Sequence, residues 1–141
     1  MDDVVNEIAS GLLFGAVGVV LLAIGFYMID LLTPGNLAHL ICHDRNKPAA
    51  IVTCAGLAAI GAIITTAIAS ADGSLGDGLA ETAVYGGVGI VMQGLAFIVV
   101  DLITPGRLGD LVVDDEGDQP VVWVTATAML AAGAIVAASI S

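Results

Sequence analysis

The chain has 141 residues, 58% of them hydrophobic and 12% charged, with 14 acidic side chains against 3 basic ones and a net charge of −11. A soluble domain carries about 25% charged residues, and one domain of this length cannot hide so much apolar surface from water. A soluble globular enzyme is therefore excluded, and so is a nucleic-acid partner, which needs Lys and Arg to neutralise phosphate.

The apolar pattern predicts an all-α membrane protein with four transmembrane helices, at about 10–32, 49–71, 82–103 and 121–140. Each run has about 20 to 23 residues, close to the ~20 that a helix needs to cross a bilayer. Helices are required because lipid cannot satisfy open backbone groups. The residues ahead of the first run, Met1 to Glu7, are acidic rather than basic, so that run is not read as a cleavable signal. The segments outside the runs are short, and no separate catalytic domain is expected. The lipid bilayer is the expected partner, with a homo-oligomer or a second membrane protein.

The first run carries Gly11, Gly15 and Gly18, and the third carries Gly86, Gly87 and Gly89. Small residues at such spacings let helices approach closely, so all six are predicted packing positions. The first run closes on Asp30-Leu31-Leu32-Thr33-Pro34-Gly35-Asn36-Leu37, and the third on Asp101-Leu102-Ile103-Thr104-Pro105-Gly106-Arg107-Leu108. Thr-Pro is a good helix start, with Thr as cap and Pro in the first turn. A short interfacial helix is therefore expected after each odd-numbered span, presenting Leu37, Leu40 and Ile41, or Leu108, Leu111 and Val112, to the membrane boundary.

These motifs belong to a longer internal match. Shifted by 71 residues, Gly15 to Ile41 lies on Gly86 to Val112 with 12 of 27 positions identical. The match continues one residue out of step, with Pro48 on Pro120, Thr53 on Thr125 and Gly61 on Gly133. The chain reads as two two-helix repeats, 1–71 and 82–141, joined by the loop 72–81. Each repeat crosses the membrane twice, so the repeats are parallel, related by a pseudo-twofold axis along the membrane normal. Arg45, Lys47 and Arg107 fall in the first and third loops. The positive-inside rule then places those loops in the cytoplasm and both termini outside.

The paired Thr-Pro-Gly turns and the Gly-rich first span resemble the bacterial membrane family labelled domain of unknown function 350, in two tandem copies. The resemblance covers nearly the whole chain. It implies a bacterial inner-membrane protein and brings no activity with it.

Three sets of residues are candidates for chemistry. Asp30 and Asp101 close their spans and, with mid-span Gln93, form a candidate ion or proton site. Ionisable groups at membrane depth often mark ion paths. The alternative is interfacial, each Asp accepting hydrogen bonds from the start of the next helix. His39, Cys42, His43 and Asp44 have ligand types for zinc at helical spacing, but no fourth ligand stands at a usual distance. Asp110, Val113, Asp114 and Asp115 occupy the matching places in the second repeat. The acidic run Asp114 to Asp118 lacks the spacing of a calcium-binding loop. Cys42 and Cys54 are read as reduced thiols. With no Walker loop, dinucleotide fingerprint or nucleophile elbow, no catalytic residue and no cofactor are expected. The best reading is a small membrane subunit or scaffold acting with a partner or as an oligomer; the alternative is an ion or small-solute path using Asp30 and Asp101.

Overall fold

The computed structural model describes residues 1–104, 106, 110 and 120–141. The expectations placed on Pro105, Arg107, Leu108, Leu111 and Val112 and on the acidic run 114–118 lie outside the described residues. The elements are α1 (Asp2–Leu32), α2 (Leu37–Cys42), α3 (Lys47–Ala69), α4 (Leu75–Ile103) and α5 (Pro120–Ile140). Among the described residues, α1, α3, α4 and α5 are each long and apolar enough to cross a membrane.

Two helices begin earlier than hydropathy predicts. α1 starts at Asp2 rather than near Ser10, and α4 at Leu75 rather than near Thr82. Hydropathy marks the apolar stretch, whereas a helix continues through polar residues until its backbone is capped. Ser74 supplies the cap of α4: its hydroxyl accepts from Asp77 N at 3.3 Å and donates to Asp77 Oδ2 at 2.6 Å. Asn46, buried at the start of α3, accepts from Ala49 N at 2.8 Å, and Pro48 sits in the first turn, where its missing N–H costs nothing.

The long helices form a bundle in which like helices lie side by side and parallel. α1 meets α4 at Phe14 on Gly78, Leu21 on Gly86 and Met28 on Gly94, pairs whose numbers rise together. α3 meets α5 at Gly56 against Met129 and Ala59 against Gly133, also in parallel. α1 and α3 run antiparallel, with Gly25 under Ile60 and Gly56 under Ile29. Among the described residues, α4 packs against α1, α3 and α5, whereas α1 packs extensively against α3 and α4 and not against α5.

This arrangement departs from the expected pseudo-twofold. A twofold along the normal would give α1 and α5 the contact that α3 and α4 make. It would also bring α1 and α4 together at equivalent positions such as Leu21 and Met92. Instead Leu21 seats on Gly86, six residues earlier. At ~1.5 Å per residue the second helix is advanced along its axis by about 9 Å. Side-chain fit decides this register: Phe14, Leu21 and Met28 are large, and Gly78, Gly86 and Gly94 are the places on α4 that can receive them.

Of the six predicted packing glycines, three pack and three do not. Gly18 faces Ile64 and Ile68, Gly86 takes Leu21, and Gly89 takes Ile63. Gly11, Gly15 and Gly87 have open space where a Cβ would stand. Gly25, Gly56, Gly78, Gly94 and Gly133, not singled out by the pattern, make close approaches.

The Thr-Pro-Gly turn also differs from expectation. Thr33 does not cap the next helix. Its N–H and its hydroxyl both donate to Ile29 O, each at 3.0 Å, so it closes α1 instead. Thr104 closes α4 in the same way, its hydroxyl donating to Val100 O at 2.8 Å. Gly35 has φ +103 and Gly106 φ +86, in the left-handed region where a helix cannot start. α2 therefore begins only after Gly35, and Asn36 caps it, accepting from His39 N at 3.0 Å. Nor does Leu37 face the membrane boundary: it is buried, and Leu40 and Ile41 pack on the same core cluster, folding α2 onto the end of the bundle.

Candidate functional site

Asp30 lies in the last turn of α1, half-buried, and its Oδ1 accepts from Leu37 N at 2.7 Å. The bond spans the Thr33-Pro34-Gly35-Asn36 turn and fixes the first backbone amide of α2. Such a charge-assisted bond to an otherwise orphaned amide contributes about 1.5–3 kcal/mol. The arrangement is that of a turn clamp.

Asp101 occupies the matching turn of α4 and is also half-buried. It is not level with Asp30. Extending the register from Met28 on Gly94 sets residue 96 beside Asp30, so Asp101 lies on the order of 7 Å further along α4. The expectation of two carboxylates at equal depth is thus corrected by the stagger of the helices.

Gln93 is fully buried, with 0% exposure. Its Nε2 donates to Met129 O on α5 at 3.0 Å. Its Oε1 has no hydrogen-bond partner among the described residues, and neither does the buried hydroxyl of Thr82 three turns earlier. Gln93 stands eight residues before Asp101, about 12 Å along the helix. The three members of the predicted site therefore occupy three separate levels.

The amide of Gln93 stitches α4 to α5 while leaving a buried acceptor unsatisfied. Met129 O already receives a donor within its own helix. Gln93→Leu, similar in volume, removes the unsatisfied oxygen and orphans nothing. The variant should unfold in mixed micelles at an equal or higher SDS fraction than the parent, a gain of up to about 1 kcal/mol. A loss larger than that would mean the oxygen has a partner that stabilises the fold.

The ligand types on and after α2 do not assemble into a metal centre. The rings of His39 and His43 stack at 4.8 Å, and His39 Nδ1 lies 3.4 Å from Asp44 Oδ2. Cys42 and Cys54 are free and exposed. Among the described residues no three His, Cys, Asp or Glu side chains group in a way that could hold a metal ion. The imidazoles of His39 and His43 face each other, and His39 pairs with the Asp44 carboxylate.

The opposite end of the bundle carries two clefts of mixed polar and apolar lining that the sequence did not single out. One of about 470 Å³ lies between α1 and the α3–α4 turn, lined by Asn6, Ser10, Phe14, Asp72 and Ser74. A second, of about 360 Å³, is lined by Asp72, Glu81, Tyr85, Ser139 and Ser141. Asp72 N donates to Glu81 Oε2 at 3.2 Å between them. The Ser74-x-x-Asp77 spacing is the sequence signal that could have located this turn.

A helical bundle in which four of the described helices are of membrane-crossing length, apolar outside as well as inside, defines a multi-span transmembrane protein. The chain belongs to the family described as Domain of Unknown Function (DUF350), whose profile matches residues 3–140. It is similar to a UPF0719 transmembrane protein of Mycolicibacterium paratuberculosis (strain ATCC BAA-968 / K-10), with 36% identity over 100% of this chain and 93% of the relative. It is also similar to UPF0719 transmembrane proteins of Mycobacterium bovis and Mycobacterium tuberculosis, each 33% identical over 100% of this chain and 92% of the relative. No solved structure matches.

Proposed function

We propose that the chain is a membrane subunit or scaffold, built from two tandem helix hairpins and working as an oligomer or with a membrane-protein partner, rather than a carrier of chemistry of its own. The observation that carries this reading is the use of the interior. Helices close on one another at Gly25, Gly56, Gly86, Gly89 and Gly133, and the carboxylate of Asp30 is committed to the backbone of α2. The large apolar side chains of α1 and the far side of α4 are left outside. The setting is the bacterial cytoplasmic membrane with both termini outside, in line with the basic residues Arg45, Lys47 and Arg107.

Two differently tagged copies, expressed together and extracted in mild detergent, test this. Recovery of both tags at a fixed ratio, or of one membrane protein at fixed stoichiometry, is expected. Isolated single chains that conduct ions after reconstitution would overturn the reading. A reporter active only in the cytoplasm, fused at Ser141, should stay silent.

One observation favours a second reading, an ion or small-solute path: the unpartnered Oε1 of Gln93 in mid-span. Flux into liposomes that disappears in the Asp30→Asn, Asp101→Asn double variant while the fold survives would establish it.

A further inference from the structure

α2 is held in place along one face and at both ends. Leu37 is buried, and Leu40 and Ile41 pack on the core cluster of the bundle. At the start of the helix Asn36 accepts from His39 N, and at its end His43 N donates to His39 O at 2.8 Å. His39 and His43 are therefore fixed one turn apart, on the face away from the bundle, where both are exposed.

Their rings have the spacing of a chelating pair. The ring centres stand 4.8 Å apart. An ion bonded to one nitrogen of each of two imidazoles at about 2.0–2.1 Å holds the ring centres about 4.5–5.2 Å apart. Rotation about the Cβ–Cγ bond redirects the nitrogens and hardly moves the ring centre. His39 also has the outer partner that a metal-binding histidine uses. Its Nδ1 lies 3.4 Å from Asp44 Oδ2. The carboxylate draws the N–H of the neutral ring to Nδ1 and leaves the lone pair on Nε2, on the other side of the ring. Among the described residues no cluster of three or more His, Cys, Asp and Glu side chains surrounds an ion. The pair is thus a two-nitrogen surface site, with water in the remaining coordination positions.

We propose that His39 and His43 chelate one divalent transition-metal ion at the exposed face of α2, and that Asp44 positions the His39 ring through Nδ1. Imidazole nitrogen selects ions such as Ni2+, Cu2+ and Zn2+ over Mg2+ and Ca2+, which prefer oxygen. The ion ties together the two residues that bound the last turn of α2. This goes beyond the scaffold reading and does not depend on it.

The test is calorimetric titration of the full chain with Ni2+, in phosphatidylcholine nanodiscs and with a purification tag free of histidine. One Ni2+ per chain is expected. His39→Ala and His43→Ala should each weaken binding at least tenfold, and Zn2+ should displace the bound Ni2+. Asp44→Ala should weaken binding about tenfold, and Cys42→Ser should leave it unchanged. All four side chains are exposed, and an unchanged SDS-unfolding midpoint without metal certifies the fold of each variant. No Ni2+ bound by the parent, or binding that survives in the His39→Ala, His43→Ala double variant, overturns the proposal. Displacement by Mg2+ at equal concentration also overturns it, because that result assigns the ion to carboxylates. Loss of binding in Cys42→Ser as large as in His39→Ala overturns the two-imidazole site in favour of a thiolate.

Discussion

Gly133→Val should break the α3–α5 pair. A Cβ at Gly133 would come within 2.8 Å of Ala59 Cα, a backbone atom that cannot turn aside as a flexible side chain can. The helices must separate, and Met129, Val52 and Ile60 lose the packing that buries them. Overpacking typically costs 1–3 kcal/mol, and here we expect about 3 kcal/mol or more. Gly61→Val is the control. It makes the same chemical change at the counterpart position, where nothing lies within 4 Å, and should move stability by less than about 1 kcal/mol. The SDS-unfolding midpoints of the two variants measure the difference. Equal effects would show that backbone approach at Gly133 is not what limits the fold.

Asp30→Ala should cost about 2 kcal/mol, because it strands the Leu37 amide at the start of α2. Asp30→Asn keeps an acceptor oxygen in nearly the same place and should lose less than half of that. The unfolding midpoint separates the two variants. If Asn proves as damaging as Ala, the negative charge matters rather than the acceptor, and the carboxylate regains standing as an ion site. Liposome flux of the Asn variant, expected to equal that of the parent, gives a readout independent of stability.

Much of this architecture was legible in the sequence. The turn at Thr33-Pro34-Gly35 ends α1 at Leu32, and that at Thr104 ends α4 at Ile103, where the motif put the span ends. The role of Thr33 was misread because Thr-Pro fits a helix start as well as it fits a helix end. The left-handed φ of Gly35 decides between the two, and glycine alone does not announce it. The candidate site was legible as a set of residue types and not as a place. Asp30 and Asp101 share a motif position, yet motif position gives no axial register between helices. Leu22 and Gln93 are counterparts, but Leu22 is exposed and Gln93 buried against α5.

Composition and spacing by themselves determined that this chain lives in a bilayer, that four helices are long enough to cross it, and where its turns fall. These follow from local quantities: apolar transfer, helix rise per residue, and the backbone demands of Pro and Gly. Only the tertiary structure decided which face of each helix meets protein and which meets lipid. The physical reason is that a lipid tail is as apolar as a leucine, so a membrane helix has no polar side to mark its orientation. Gly15 and Gly18 read alike in sequence, yet one stands in open space and the other lies under Ile64. Steric fit between large side chains and glycine notches on different helices makes that choice, and with it the stagger that sets Asp30 and Asp101 apart.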